Sequence, residues 1–185
     1  MATTSKTQAE RLMTADEFMR LPDRYVELID GKVVHLMPPL LDHADISGRV
    51  FFALETFNRR HKLGRVFTEG SFRVQRHPEK VRAPDVCFIE NSALENKNLD
   101  SYLDGAPTLA IEIVSKNDSL RKTKEKADEF LEAGAQAAWI IHPKQRCVFV
   151  RTPDEPEAKY TLGQSVPGGD ILPGFELPVA QLFED

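Results

Sequence analysis

Cysteine is scarce: Cys87 and Cys147 are the only two, each inside an apolar, strand-like run, so they read as reduced, buried thiols. That leaves no material for a disulfide framework or a cysteine metal knuckle. No run of 18 or more apolar residues occurs, so the chain offers no candidate membrane-spanning helix. The opening MATTSKTQAER lacks the apolar segment of a secretion signal. Together these absences predict a cytoplasmic protein that engages no membrane. A glycine-rich phosphate loop is missing too. Ser115 has no histidine and acid at recognisable hydrolase spacing, which argues against a serine triad.

What is present suffices for a core. Apolar residues make up 41% of the 185, with 11 Phe, 3 Tyr and 1 Trp, enough to offset the ordering entropy of one domain. The reading is a single domain over residues 14–185 behind a disordered lead at 1–13. The formal charge of −5 conceals segregation. Residues 59–82 hold eight Lys or Arg against two acids, 116–126 hold five against two, and 152–185 hold one against seven. The basic segments suit a local polyanion surface, although ordinary solvated faces carry such runs as well.

Thr14 and Glu17 make a capping-box pattern that opens a short helix. Asp30-Gly31, between YVELI and KVVHLM, tolerates positive φ and predicts a hairpin with Glu27 on its first strand. Ile46, Val50, Leu54 and Phe57 predict a long helix that stops at Gly64. RVFTEGSFRVQ reads as a strand, and APDVCFIE and LAIEIVS read as internal strands covered on both faces. Asn117 or Asp118 caps a further helix ending at Gly134. AAWIIH and CVFVR follow as strands, and the Pro-, Gly- and acid-rich remainder from Thr152 should lay short strands and loops along an edge. The order is mixed α/β.

Glu112 interrupts a strand otherwise fit for complete burial. An unpaired carboxylate there costs roughly several kcal/mol, so it needs a partner, a proton or a cation. Asp85 poses the same question at the start of PDVCFI. If the two strands are neighbours, both carboxylates converge on one hard cation such as Mg²⁺, which binds through few protein oxygens. The alternative is that both acids cap loops or pair with arginine, Arg73 or Arg82 among them. Lys126 falls on the edge of the inward stripe of Thr123, Ala127, Phe130, Leu131 and Gly134. From there an ammonium can neutralise the acids, orient a water or meet a phosphate, unless it runs out to solvent. Lys122, with Arg121 and Lys124, reads as solvated or phosphate-facing.

The succession YVELIDGKVV, a histidine after the Pro38-Pro39 break, PDVCFIE, LAIEIVSKND, KADEFLEAGAQAAWIIHP and ILPGFELPVAQLF resembles the Uma family of restriction endonucleases over nearly the whole chain. That family belongs to the PD-(D/E)XK nuclease superfamily. The resemblance implies a restriction-endonuclease-like core, a central mixed β-sheet flanked by helices, and Mg²⁺-dependent cleavage of nucleic-acid phosphodiesters, with Mn²⁺ as a substitute.

Carried over position by position, it implies catalytic roles for Glu27, Asp85, Glu112 and Lys126. Asp85, Glu112 and the Ile113 carbonyl would hold the metal. His43, Lys116 and Lys122 would lie toward substrate. The motif lysine two places after Glu112 is replaced by Val114; Lys126, four residues before Phe130, matches a family variation in which the following helix supplies it, with Lys116 as the fallback. Two further departures are Phe130, where tyrosine is frequent, and His142-Pro143, where Asp-Pro is common. The expected partner is DNA, met by a homodimer. The competing expectation is a non-catalytic protein that keeps the nuclease fold as a nucleic-acid-binding or protein-interaction module.

Overall fold

The computed structural model describes residues 11–23, 25–116 and 118–184. Of the expected lead, residues 1–10 lie outside the described residues, and at Met13 the backbone N–H already donates to the Gly31 carbonyl at 2.8 Å. Helix α1 (Ala15–Phe18) opens on the capping box: Thr14 Oγ1 accepts the Glu17 N–H, and Glu17 reaches back to the Thr14 N–H. The hairpin of β1 (Val26–Ile29) and β2 (Lys32–His35) turns at Asp30 and Gly31, both at positive φ. Helix α2 (Leu41–His61) buries Ile46, Val50 and Leu54, each worth about 1.5–3 kcal/mol on burial.

The end of α2 differs from expectation. Its left-handed residue is Lys62, and Asn58 closes the turn by accepting the Leu63 and Gly64 N–H groups and donating to the Gly64 carbonyl. Gly64 instead begins β3 (Gly64–Thr68), where a Cβ would lie 2.1 Å from the Ile89 carbonyl oxygen and 2.9 Å from Glu90 Cα. Gly64→Ala must therefore push two paired backbones apart. We expect it to lower the unfolding free energy by about 1–3 kcal/mol or more in a urea titration; an unchanged midpoint would refute the close approach.

RVFTEGSFRVQ proves to be two strands in different sheets, β3 and β4 (Phe72–Arg76), because the chain breaks at Glu69 in a positive-φ conformation and at Gly70. After them come β5 (Glu79–Arg82), β6 (Val86–Glu90), α3 (Asn91–Leu94), β7 (Leu103–Asp104) and β8 (Leu109–Ile113). Helix α4 (Leu120–Glu132) is capped by Ser119, whose hydroxyl accepts the Lys122 N–H. The cap is not Asp118, which accepts the Ser115 hydroxyl instead, and Asn117 lies outside the described residues. Strands β9 (Ala137–His142), β10 (Cys147–Arg151), β11 (Ala158–Thr161), β12 (Ser165–Pro167) and β13 (Glu176–Pro178) complete the order.

A six-stranded mixed sheet, β11-β10-β9-β8-β6-β3, forms the centre, parallel only between β8 and β9. A second sheet runs β2-β1-β5-β4-β7. Side-chain alternation divides the central sheet into two faces. Val86, Phe88, Leu109, Ile111 and Ile113 pack with Ile46, Val50 and Leu54 of α2. Cys87 and Ile89 meet Phe72 of the second sheet, and Ala110 meets Phe130 of α4.

The acidic tail is more than an edge. Its Val166, Ile171, Leu172, Phe175, Leu177, Val179 and Leu182 enter the α2-side core, where Phe175 stacks on Trp139. The fold is thus mixed α and β, with mixed sheets flanked by helices. Both cysteines are buried and free. Among the described residues no helix is long and apolar enough to cross a membrane.

Candidate active site

Val86 pairs with Ile111 across the antiparallel β6–β8 ladder, so one step further Asp85 stands opposite Glu112. Asp85 is anchored from two sides. Its Oδ2 accepts the Ile113 N–H at 2.7 Å and lies 3.2 Å from His43 Nε2 in the first turn of α2, leaving Oδ1 outside both contacts. Glu112 is 5% exposed, held there because Ala110 and Val114 on the same strand face are packed under α4.

Lys126 projects from α4 onto these strands, and its ammonium has three neighbours. It donates to the Ala83 carbonyl at 2.8 Å and lies 3.0 Å from Glu27 Oε1 and 3.0 Å from Glu112 Oε1. The contact with the buried Glu112 Oε1 is an ion pair at 3.0 Å. Glu27, on β1, is fully engaged: Oε1 also takes the Ala83 N–H at 3.3 Å, and Oε2 takes Arg82 Nη1 at 2.6 Å. Sequence reasoning missed that Arg82 also bonds Glu129 of α4, itself bonded to Lys80. The only signal was basic β5 beside an acid-bearing helix. Arg73, the other arginine weighed, pairs with Asp104 and Glu79 away from the site.

The electrostatics separate the acids. Burial pushes the pKa of Glu112 up to about 8; Lys126 pulls against this while the Asp85 and Glu27 charges reinforce it. At Glu27 burial acts in the same sense, but Lys126 and Arg82 together outweigh it and lower the pKa. Burial disfavours the Lys126 charge, yet Glu112, Glu27 and Asp85 hold its pKa above the usual lysine value. For His43 the burial penalty is outweighed by Asp85 and the Ile113 backbone, which raise its pKa.

Among the described residues no three His, Cys, Asp or Glu side chains form a ready-made metal cage. The available donor set is two facing carboxylates beside the Ile113 backbone. That set is all oxygen and suits a hard cation that keeps much of its own water.

A family model described as "Putative restriction endonuclease", Uma2, matches residues 15–180. The chain belongs to the Uma2 family. A crystal structure from Anabaena variabilis ATCC 29413, described as a "putative nuclease belonging to DUF820", superposes with a TM-score of 0.79 at 24% identity, covering 92% of this chain and 97% of that one. That likeness establishes a shared fold. No curated protein matches the chain.

The departures of this Uma2 member from the expected pattern have local explanations. Val114 is buried with Ala127, Ala138 and Ile140, so the place of the motif lysine is filled by α4, the helix that carries Lys126. Phe130 is wholly buried beside Ala110 and Ala135, where a hydroxyl would need a partner. His142 Nδ1 accepts the Gln145 N–H at 3.2 Å, the capping task that an aspartate performs equally well. Lys116, past the end of β8, and Lys122, in the first turn of α4, are exposed and take no part in the contacts around Glu112.

Proposed function

We propose that this chain is a Mg²⁺-dependent endonuclease that hydrolyses DNA phosphodiester bonds. Asp85, Glu112 and the Ile113 carbonyl hold the ion. The observation that carries the reading is the buried Glu112, which stands opposite Asp85 on the neighbouring strand with the Lys126 ammonium 3.0 Å from its Oε1. Two facing acids exceed what the one ammonium between them neutralises, and a divalent cation would make up the difference. The bound ion would supply Lewis acidity and a water acidified toward neutral pH.

The protein's own groups do the rest. Lys126, held by Ala83 and Glu27, directs its charge at the carboxylate pair, where it orients the attacking water and stabilises charge gathering on the phosphate. His43, half-buried with its Nε2 3.2 Å from Asp85 Oδ2, would steady that carboxylate and stands close enough to meet a metal-bound water or a phosphate. Exposed Lys116 and Lys122 extend the positive surface along the backbone of the substrate. Two such sites in a homodimer would serve the two strands of a duplex.

One observation favours a second reading, the non-catalytic binding module: the Lys126 ammonium has all three neighbours inside the protein. The same experiment separates the two. Supercoiled plasmid is incubated with wild type and Asp85→Asn under Mg²⁺, Mn²⁺ or EDTA, with calorimetric titration of both ions into each protein. We expect nicking with either ion, none in EDTA, and a loss on the order of 10³-fold in the variant together with lost ion binding. A folded wild type that binds neither ion, with or without DNA, would favour the module.

A further inference from the structure

The ion pairs around Lys126 form a closed figure. Arg82, at the end of β5, forks: Nε donates to Glu129 Oε2 at 2.6 Å and Nη1 to Glu27 Oε2 at 2.6 Å. Glu129 and Lys126 stand three residues apart on α4, hence on one face of the helix. The ring therefore runs from Glu129 on α4 to Arg82 on β5, to Glu27 on β1, and back to Lys126 on α4. Lys80 closes the outer side by donating to Glu129 Oε1 at 2.8 Å.

We propose that Arg82 and Glu129 are positioning residues for Lys126: they fix the Glu27 carboxylate, and that carboxylate fixes the ammonium over Glu112. The inference rests on Lys126 acting in phosphodiester cleavage. A lysine has a long flexible stem and leaves for water unless it is held. Glu27 is also flexible and can hold an ammonium only if it is itself clamped. The planar guanidinium is the rigid part of the ring, because its donors have fixed relative directions and meet two carboxylates at once. A lysine at position 82 would be a single point of charge without that fork.

The test uses Arg82→Lys and Glu129→Gln. The Lys126 ammonium is followed by its proton–nitrogen NMR signal, assigned by its loss in Lys126→Arg, since a held ammonium exchanges slowly with water. Alongside it, single-turnover cleavage, KM, Mn²⁺ titration and melting are measured on the same samples. We expect the ammonium signal to broaden or vanish in both variants. The single-turnover rate should fall about 10–100-fold for Arg82→Lys and less for Glu129→Gln, while KM and Mn²⁺ affinity stay within about threefold.

Variants that keep the wild-type ammonium signal and rate overturn the proposal, and so does a rate loss that merely follows lost ion binding. If Arg82→Lys does not fold, Glu129→Gln, which preserves shape and an acceptor oxygen, decides. If wild type cuts no nucleic acid, the nuclease reading fails, and the ammonium signal alone still judges the positioning.

Discussion

Glu112→Gln is expected to abolish divalent-ion-dependent cleavage, by on the order of 10³-fold or more, and at the same time to raise the melting temperature in EDTA. The two effects have one cause. Burial lifts the folded-state pKa of Glu112 from its ordinary 4.5 to about 8. Between those values the folded chain keeps a proton that the unfolded chain releases, so stability falls as pH rises through the window and is lowest above 8. Glutamine carries no such penalty, and the advantage of the variant should grow from pH 5 to pH 8.5 to a few degrees or more.

Lys126 limits the gain, since it loses one of its neighbours, but it retains Glu27 and the Ala83 carbonyl. An ion at Glu112 competes with the same proton, so affinity should climb up to about tenfold per pH unit below 8 in wild type. Differential scanning fluorimetry in EDTA across that range, with titrations at matched pH, checks both halves. A variant that melts below wild type at pH 8 would mean that Glu112 is chiefly an ion-pair partner of Lys126, as in an ordinary salt-bridge network.

The anomaly at Glu112 was visible in the sequence because a charge inside LAIEIV breaks an apolar run that nothing else interrupts. Asp85 was visible for the same reason, and their pairing follows from β6 and β8 being neighbours. Local chemistry also announced the Thr14–Glu17 box and the Asp30-Gly31 turn, since both depend on residues within four positions of one another.

What escaped was non-local. β5 is short and polar, EKVR, and forms a strand because β1 and β4 flank it, not because its own residues favour one. Gly64 resembled a helix stop until Ile89 and Glu90 were known to lie against it. The tail looked like an edge because Pro, Gly and acid dominate its composition, while its sparse apolar residues are the ones that fill the core. The fork of Arg82 joins residues 47 and 55 positions away, and no spacing rule reaches that far.

Glu27→Ala should be the most destabilising change in the site, costing about 3–5 kcal/mol in urea titrations at pH 7. Glu27 is 3% exposed and is shared by two half-buried cations, Lys126 and Arg82. Its removal strands both charges and opens the ring between β1 and α4, with only Ala83 O, Glu112 and Glu129 left to receive the donors. Glu27→Gln keeps the shape and one acceptor and should cost less.

The pH dependence distinguishes this loss from simple loss of packing. The Glu27 pKa is lowered on folding, because Lys126 and Arg82 outweigh burial. The stability it contributes is therefore present above 4.5 and disappears as pH falls through the folded-state value. Wild type should steepen its unfolding in acid where the variant does not, so the two melting curves converge as pH falls below 4.5. Parallel curves down to pH 2 would show that the carboxylate charge contributes nothing and that the cost is only that of a cavity. Lys126 acts at the opposite end of the scale. Its raised pKa gives stability that is fully present below the ordinary lysine value and is lost as pH climbs through the folded one, so both charges of the pair are in force across the neutral range where the proposed reaction runs.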